Sequence, residues 1–220
     1  MNYKAYIFFL FFFQYTFGQV YQWNTNEDGN IITYKVQMDS EYLVETVYEN
    51  NPPKFLRTRG GFYEKKADYL MVKFEFNSNF INDSIADLKY VFPDKAQIIS
   101  ISKLELDGKW LMAGRVGSDG SEKRRDTSRS RKTLKFLVDG YFQWTAFNTD
   151  TFQFYGCGGG KYSANDGEYK ESIVYFSRDN SRSGQTLTFK YEKKENDWYH
   201  SGLSSKGKPL HEIWTLRIKK

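Results

Sequence analysis

Alternation of aromatic or β-branched residues with polar ones is the feature that most constrains this chain. Between Tyr141 and Ser177 it recurs in short runs that glycine clusters separate. A period of two places every second side chain on the same face of a sheet, so these runs predict half-buried β-strands. Aromatic residues suit strands and barrel interiors, and they make up 19% of the 220 residues. The predicted fold class is all-β.

The same pattern appears earlier in the chain at a constant distance. Tyr42 lies 99 residues before Tyr141, and Tyr63 lies 99 residues before Tyr162. Phe76 then matches Phe176 after a slip of one residue. A fixed offset across separate segments indicates an internal duplication, or internal repeat.

The first 18 residues have the pattern of a secretory signal peptide. Lys4 supplies the basic start, residues 5–13 are apolar, and Thr16 and Gly18 put small residues before a cleavage site at Gln19. The apolar run is too short to span a bilayer comfortably. The sequence therefore predicts a secreted or periplasmic protein with no transmembrane segment.

Two related units are predicted after this leader, at 19–106 and 107–220. Short strand patterns with little helix favour antiparallel barrels or sandwiches, and closure into a barrel removes exposed strand edges. Asp139–Gly140 predicts a hairpin turn. The pattern also predicts one helical turn at 83–87 and a strand at 98–106, the last of the first unit.

The second unit resembles a known family. The segments that carry the resemblance are Arg131–Lys135, Phe142–Trp144, Gly158–Gly160, Ser177–Arg182, Trp198–Gly207 and Glu212–Trp214. Together they resemble an uncharacterised family of secreted Bacteroidetes-type proteins with lipocalin-like (calycin) domains. The resemblance covers nearly all of the second unit and, more weakly, the first. It implies two tandem related antiparallel lipocalin-like β-barrels and no established activity.

Gly108-Lys109-Trp110 also looks like the Gly-x-Trp at the start of the first lipocalin strand. In lipocalins this tryptophan closes the barrel floor and packs on an arginine near the C-terminus, so the resemblance implies that Trp110 stacks on Arg217. The first copy has Trp23 without the preceding glycine. The lipocalin disulfide is absent, because Cys157 is the only cysteine.

The hypothesis for function is ligand binding in the second barrel. The candidate pocket walls are Phe142, Trp144, Phe154 and Tyr175, and the candidate polar anchors are Arg178, Arg182, His200 and Lys206. Two arginines four residues apart can hold a carboxylate or sulfate, so the predicted partner is a small apolar or anionic ligand. The simpler alternative is that Arg178 and Arg182 pair within the turn with Asp179 and with backbone carbonyl oxygens. Alternation leaves the opposite orientation open, in which Tyr141, Gln143, Thr145 and Phe147 point inward.

Two other functions stay open. Barrels packed solid by their own aromatic side chains would indicate an envelope or interaction protein. A hydrolase or isomerase would use His200 with a carboxylate, although a polar hairpin pair at a barrel rim is the simpler explanation of this histidine. Cys157 is either a reactive thiol on a strand bend or a small residue in the place of Thr58. The cluster Gly158, Gly159, Gly160 fits a sharp strand bend.

Several classes of site are unsupported. One cysteine and two histidines exclude structural zinc sites of four cysteines or of two cysteines and two histidines, and no metal or cofactor is predicted. Seven basic residues lie between Lys123 and Lys135, against Asp126 alone. The run lacks interleaved aromatic residues for stacking bases, so it predicts a solvated loop and no nucleic-acid partner.

Overall fold

A computed structural model of the chain describes residues 18–218. The predicted signal peptide lies outside this range except for its last residue, Gly18. The described residues form an open sheet followed by a closed barrel. Most of their strands follow the period-two pattern, whereas β1 at Gln19–Glu27 and β9 at Glu122–Arg124 do not correspond to predicted strands.

The first sheet contains seven antiparallel strands, in the spatial order β6-β5-β4-β3-β2-β1-β7. They are β1 (Gln19–Glu27), β2 (Asn30–Met38), β3 (Tyr42–Asn50), β4 (Pro53–Lys65), β5 (Leu70–Asn77), β6 (Asp87–Tyr90) and β7 (Gln97–Ile98), with the helix α1 (Phe80–Asp83) before β6. The helical turn thus precedes the predicted 83–87, and only Ile98 of the predicted strand 98–106 is in a strand. No helix among residues 18–218 is long and apolar enough to cross a membrane.

The second strand system closes into a barrel. Its strands are β8 (Gly108–Val116), β9 (Glu122–Arg124), β10 (Arg131–Val138), β11 (Tyr141–Asn148), β12 (Phe154–Asn165), β13 (Glu168–Phe176), β14 (Thr186–Lys194), β15 (Asp197–Leu203) and β16 (Pro209–Leu216), with a 3-10 turn at Asn180–Arg182. Strands β10 to β16 pair in order, and β8 pairs with both β16 and β10. An eight-stranded up-and-down barrel is the lipocalin architecture. The closed barrel predicted for the second unit is confirmed.

The first unit does not form the second predicted barrel. Strands β6 and β7 are the two edges of its sheet. They contain four and two residues, too few for a continuous ladder. Pro93 lies in the connection between them and has no N–H to donate to a neighbouring strand. Two tandem barrels are therefore not confirmed, and the chain combines one barrel with one open sheet.

Strand pairing preserves the 99-residue offset. Thr46 of β3 pairs with Thr58 of β4, and Thr145 of β11 pairs with Cys157 of β12. The bulges in β3–β4 and in β4–β5 recur at matched positions in β11–β12 and in β12–β13. By these registers β2 to β6 correspond to β10 to β14. The internal duplication itself stays a prediction, which the matched registers support.

The strand registers correct the residue that was matched to Phe76. Phe76 pairs with Gly60, and Tyr175 pairs with Gly159. Phe76 therefore corresponds to Tyr175, at the same offset of 99 residues, and not to Phe176.

The counterpart of Trp110 in the first unit also differs from the sequence interpretation. Tyr21 pairs with Val36, and Trp110 pairs with Lys135, which lies 99 residues after Val36. Tyr21, rather than Trp23, therefore corresponds to Trp110.

The two units pack against each other through their outer faces. The shared apolar cluster contains Val20, Tyr42, Val44 and Phe76 from the first sheet and Leu111, Leu134, Phe136, Val138, Tyr141 and Phe147 from the barrel. Ring centroids are 5.0 Å apart for Tyr48 and Tyr175, and 4.7 Å apart for Phe76 and Phe147. Phe147 lies 99 residues after Tyr48, and Tyr175 lies 99 residues after Phe76. Each of the two contacts therefore corresponds to the other, and the interface has approximate two-fold symmetry.

A buried amide joins the two units at the centre of this interface. The Gln143 carbonyl oxygen accepts hydrogen bonds from Tyr175 at 2.7 Å and from Thr46. Its amide nitrogen donates to Thr58 at 2.9 Å and to Thr145 at 3.0 Å. All four hydrogen-bonding positions of the amide are therefore used, as burial requires.

Candidate functional site

The inside of the barrel is crowded with aromatic side chains. Its core consists of Leu106, Trp110, Met112, Leu137, Phe142, Tyr162, Ala164, Tyr169, Ile173, Phe189, Trp198 and Trp214. We call the end near Gly108 the floor, and the opposite end, formed by the connections after β8, β11, β13 and β15, the mouth. At the floor the indole nitrogen of Trp110 donates to the carbonyl oxygen of Leu106 at 2.8 Å.

An ion pair crosses this apolar interior. The Lys135 ammonium lies 2.7 Å from a carboxylate oxygen of Glu171, and both side chains are almost fully buried. The hydroxyl of Tyr169 donates to the same oxygen at 2.8 Å. The ammonium also lies 5.1 Å and 4.8 Å from the ring centroids of Trp198 and Trp214. Taking two charges out of water is costly even when they are paired, and this cost offsets much of their attraction.

His200 lies beside the ion pair and is 2% exposed. Its ring centroid is 4.1 Å from that of Phe189, and its Nδ1 is 3.7 Å from a carboxylate oxygen of Glu212. Burial lowers the pKa of His200 well below its usual value, and the positive charge of Lys135 lowers it further. Burial also raises the pKa of Glu212. The imidazole is therefore neutral at pH 7, with one donor and one acceptor nitrogen.

Four buried nitrogen atoms in this region have no hydrogen-bond partner. They are Nδ1 and Nε2 of His200 and the indole nitrogens of Trp198 and Trp214. The Trp214 indole nevertheless lies close enough to the Glu212 carboxyl group to lower the pKa of that group, so its N–H is the least free of the four. The ring centroids of Trp198 and His200 are 5.4 Å apart, and those of Trp198 and Trp214 are 6.2 Å apart. Buried polar groups are nearly always paired, by protein, water or ligand. We call this region, with its four unpaired nitrogen atoms, the polar centre.

Half-buried apolar side chains lie on the mouth side of the polar centre. Trp144, Phe176, Leu187 and Leu210 pack against the barrel core without being fully covered. The ring centroids of Trp144 and Phe176 are 5.5 Å apart, in an edge-to-face arrangement. The barrel therefore has an apolar rim above a polar centre. This layout suits a molecule with an apolar body and a polar end.

Two of the four predicted pocket walls face this interior. Phe142 is fully buried in the barrel core, and Trp144 forms part of the rim. Phe154 stacks on Phe55 of the first sheet at 5.9 Å, and Tyr175 contacts Tyr48 in the same interface. Phe154 and Tyr175 therefore lie on the outer face and do not line the barrel, because the first unit covers that face.

Of the predicted polar anchors, too, only some lie inside the barrel. His200 reaches the polar centre, whereas Arg178 donates from Nε to the carbonyl oxygen of Tyr155 at 2.7 Å. Arg182 pairs with Asp179 at 3.1 Å. It also donates to the carbonyl oxygen of Ser205, which joins the 3-10 turn to the loop after β15. Lys206 lies exposed in that loop. The two arginines thus hold local backbone at the mouth rather than forming a carboxylate clamp.

The predicted stacking of Trp110 on Arg217 is wrong. Trp110 pairs with Leu216, so alternation turns Arg217 to the outside of the barrel. There its guanidinium donates to both carboxylate oxygens of Glu75, at 2.7 Å each. Its carbon also lies 4.9 Å from the ring centroid of Phe62. Arg217 therefore joins the two units instead of closing the barrel floor.

The glycine cluster is required by close approach, as the sequence indicates. A Cβ on Gly160 would overlap the carbonyl oxygen of Ser172, and one on Gly159 would overlap the Tyr175 hydroxyl. Gly158 would meet the Trp144 indole at 2.7 Å. A bulge lies between Gly159 and Gly160. These glycines let β12 bend between the barrel core and the interface.

Cys157 lies in the interface rather than in a reactive position. It is fully buried in a cluster with Tyr48 and Tyr175, and burial raises the pKa of its thiol. A thiol is nucleophilic as the thiolate, so this environment suppresses its reactivity. Thr58 pairs with Thr46 as Cys157 pairs with Thr145, which agrees with a slot for a small residue.

The basic run does not form one surface. Lys135 is inside the barrel, and Arg124 pairs with Asp197 at 2.7 Å. The guanidinium carbon of Arg131 lies 4.3 Å from the centroid of Tyr155, and the ammonium of Lys132 donates to backbone carbonyl oxygens of the loop before β10.

Sequence reasoning missed most of the polar centre. Lys135 was grouped with the basic loop, although it alternates with Leu137 on the inner face of β10. Glu171 alternates with Tyr169 and Ile173 in β13. A charged residue at an inward position of a strand is the signal that could have identified both.

Comparison with known proteins assigns no function. No family model and no curated protein matches the chain. Among solved structures, the chain is similar to a lipocalin-like protein from Bacteroides uniformis, with 18% identity over 51% of this chain and 98% of that one, and a TM-score of 0.36. At this TM-score the similarity supports no transfer of function, and the barrel architecture rests on the strand order of this chain.

Proposed function

We propose that this chain is a secreted ligand-binding protein whose barrel takes a small, partly apolar molecule with an uncharged polar end. The observation that carries the proposal is the set of four buried nitrogen atoms without partners beside the Lys135–Glu171 pair. The guest's polar end lies among these nitrogens. Its apolar body lies along the rim formed by Trp144, Phe176, Leu187 and Leu210.

The charged groups beside the polar centre restrict which kind of polar end a ligand can have. Lys135 is already paired with Glu171, and Glu212 adds a second carboxyl group near His200. Arg115 lies 3.7 Å from Glu212, so both cations near the polar centre already have an acidic partner, and a ligand carboxylate would have to compete with Glu171 or Glu212 for them. The unpartnered groups are two indole donors and one imidazole, which offers a donor and an acceptor. A hydroxyl, carbonyl or amide group matches them, so an uncharged ligand is favoured over the anionic one considered from the sequence.

A titration with three probes of equal chain length tests this proposal. 1-Decanol, decanoate and decylamine share an apolar body and differ in the charge of the polar end. Tryptophan fluorescence is expected to report saturable binding of decanol, with decanoate and decylamine at least about tenfold weaker. Tightest binding of decanoate, or no saturable binding of any probe, would overturn the proposal.

Two neighbouring positions on β14 provide matched variants for the same titration. Leu187→Glu places a charge on the half-buried rim, whereas Thr188→Glu places it on the exposed outer face of the strand. The first change is expected to abolish decanol binding and the second to leave it within about twofold. Equal effects of the two substitutions would place the probe outside the barrel.

Secretion is part of the proposal and has its own test. The pattern at residues 1–18 supports export and cleavage before Gln19. Mass spectrometry of the protein recovered outside the cytoplasm should then give a chain that begins at Gln19. An intact chain that begins at Met1 and stays in the cytoplasm would contradict this part of the proposal.

A further inference from the structure

The floor of the barrel is closed by residues 104–107, which precede β8. Leu106 is fully buried in the barrel core, and Leu104 packs against that core. The backbone carbonyl oxygen of Leu106 accepts the hydrogen bond of the Trp110 indole. The segment therefore fills this end of the barrel with two apolar side chains.

Polar groups hold the same segment in place. The carboxylate of Asp107 accepts hydrogen bonds from the hydroxyl of Tyr162 and, at 3.0 Å, from the backbone N–H of Asp139. The hydroxyl of Tyr191 donates to a carboxylate oxygen of Glu105 at 3.1 Å. Acceptor groups of the segment thus meet donors that the surrounding strands and turns provide.

The corresponding end of the first unit is open. The barrel residues that bond to 104–107 have counterparts, by strand register, at Tyr21, Ser40, Tyr63 and Phe92. All four counterparts line a cavity of about 610 Å³, which we call the open floor. A mature chain that begins at Gln19, as proposed above, has no residues in the place that 104–107 take in the barrel.

Aromatic rings form much of the wall of the open floor. They belong to Tyr21, Tyr63, Tyr69, Tyr90 and Phe92. The centroid of Phe92 lies 4.5 Å from that of Tyr21 and 5.2 Å from that of Tyr90, so the connection after β6 supplies one side of the wall. The volume is within the usual range for small-molecule pockets. Contacts between rings are favourable, so a guest that contains a ring suits this wall.

One backbone donor of the open floor is free. The hydroxyls of Tyr21 and Tyr63 already donate, to Gln19 and to the carbonyl oxygen of Asp39, at 2.5 Å each. In the part of the chain that the structure describes, the backbone N–H of Ser40 has no acceptor. This N–H is the counterpart of the one that bonds to the carboxylate in the barrel floor. An acceptor atom of a guest can therefore take the place of that carboxylate.

Charge does not favour an ion in the open floor. Its charged lining residues are Lys65, Lys66, Asp39 and Asp68, two of each sign. Taking an ion out of water is costly unless a partner of opposite charge compensates it. A carbonyl oxygen accepts the hydrogen bond of Ser40 without this cost.

We propose that the open floor of the first unit binds a small uncharged ring compound that carries a carbonyl group. The ring lies against the aromatic wall, and the carbonyl oxygen accepts a hydrogen bond from the backbone N–H of Ser40. The guest thus supplies an apolar body and an acceptor, as 104–107 does in the barrel. The site is separate from the polar centre.

A titration of the mature chain with benzylacetone tests this inference, with the backbone amide resonance of Ser40 followed by ¹⁵N NMR. We expect a saturable shift of this resonance. Butylbenzene has no oxygen and 3-phenylpropanoate is charged, so both should bind at least about fivefold more weakly. A resonance of Ser40 that does not move would overturn the inference, and so would tightest binding of 3-phenylpropanoate.

Two equally exposed apolar residues supply the matched variants. Val91 lines the cavity and is 60% exposed, whereas Ile98 is 58% exposed and lies on β7. Val91→Glu places a charge beside the aromatic wall and should weaken benzylacetone binding by about fivefold or more. Ile98→Glu should change it by less than about twofold. Equal effects of the two substitutions would contradict the assigned site.

The rim variant Leu187→Glu separates this inference from the function proposed for the barrel. It should abolish decanol binding and leave benzylacetone binding within about twofold. Loss of both would place benzylacetone in the barrel and overturn the inference. Failure of decanol to bind, while benzylacetone shifts Ser40, would overturn the proposed function and support the open floor as a site.

Discussion

Lys35 places an ionisable amine in a buried position. It is 2% exposed, and its ammonium lies 4.7 Å from the ring centroid of Tyr175 and 5.5 Å from that of Tyr141, in the interface between the units. Burial lowers its pKa to about 7. The folded state therefore favours the neutral amine, while the unfolded chain binds a proton up to a pH near 10.5. Stability associated with this group rises as pH increases from 7 towards 10.5.

Lys35→Met should remove that dependence on pH. The variant is expected to be more stable than the parent at pH 7, and the difference should shrink by about 2 kcal/mol between pH 7 and pH 9. Urea unfolding of both proteins at the two pH values measures it, with the other titrating groups common to both. A difference that does not change with pH would show that Lys35 keeps its proton in the folded state.

His200 should destabilise the protein in acid for a related reason. Its lowered pKa means that the unfolded chain takes up a proton first as the pH falls below about 6.5. His200→Phe should therefore lose less stability than the parent between pH 7 and pH 5. His211→Phe, on the outer face of β16, is the control and should behave like the parent. If the two substitutions have the same effect, His200 does not carry the acid sensitivity.

At the scale of the strand, the β12 bend depends on glycine. Gly160→Ala forces a Cβ into the carbonyl oxygen of Ser172, which is backbone and cannot rotate away. We expect a loss of unfolding free energy of about 1–3 kcal/mol or more. The adjacent exposed change Lys161→Ala should cost no more than about 0.5 kcal/mol. Thermal unfolding of the two variants compares them, and equal melting temperatures would contradict the packing described for the bulge.

Alternation predicted the sheets and the closure of the barrel, but not the face that each side chain takes. Strand β11 shows why, because six of its eight residues are buried. Its inner side chains meet the barrel core and its outer ones meet the first unit. Hydrophobicity then no longer distinguishes inside from outside. The same ambiguity placed Tyr175 in the pocket when it lies in the interface.

Strand length explains why the first unit does not close into the second predicted barrel. The first unit repeats the glycine and aromatic positions of the barrel, so the sequence predicts a second closure. Closure fails because β6 and β7 together have six paired residues and a strand corresponding to β15 is missing. The missing strand is visible only in the strand registers, because the repeated sequence pattern ends before β14.

At the scale of the whole molecule, the interface should make the two units unfold together. Gln143→Leu leaves the buried hydroxyl groups of Tyr175, Thr46 and Thr58 without their amide partner. A cost of about 2–4 kcal/mol follows from several unsatisfied buried groups. The parent should show one thermal transition by circular dichroism and by fluorescence, and the variant should show a lower midpoint with separated transitions.

Gln153→Leu is the control for that comparison, because Gln153 is exposed in the connection after β11. It should leave both the midpoint and the single transition unchanged. Coincident transitions at the parent's midpoint in Gln143→Leu would mean that the amide does not couple the units.

We have proposed that the buried nitrogens of the polar centre bind the polar end of a guest. The most direct measurement follows the indole N–H resonances of Trp198 and Trp214 by ¹⁵N NMR while 1-decanol is added, with decanoate as the comparison. We expect a saturable downfield shift of both resonances with decanol and a much weaker shift with decanoate. Unchanged indole resonances while decanol binds elsewhere would contradict it and leave the barrel as a solid scaffold.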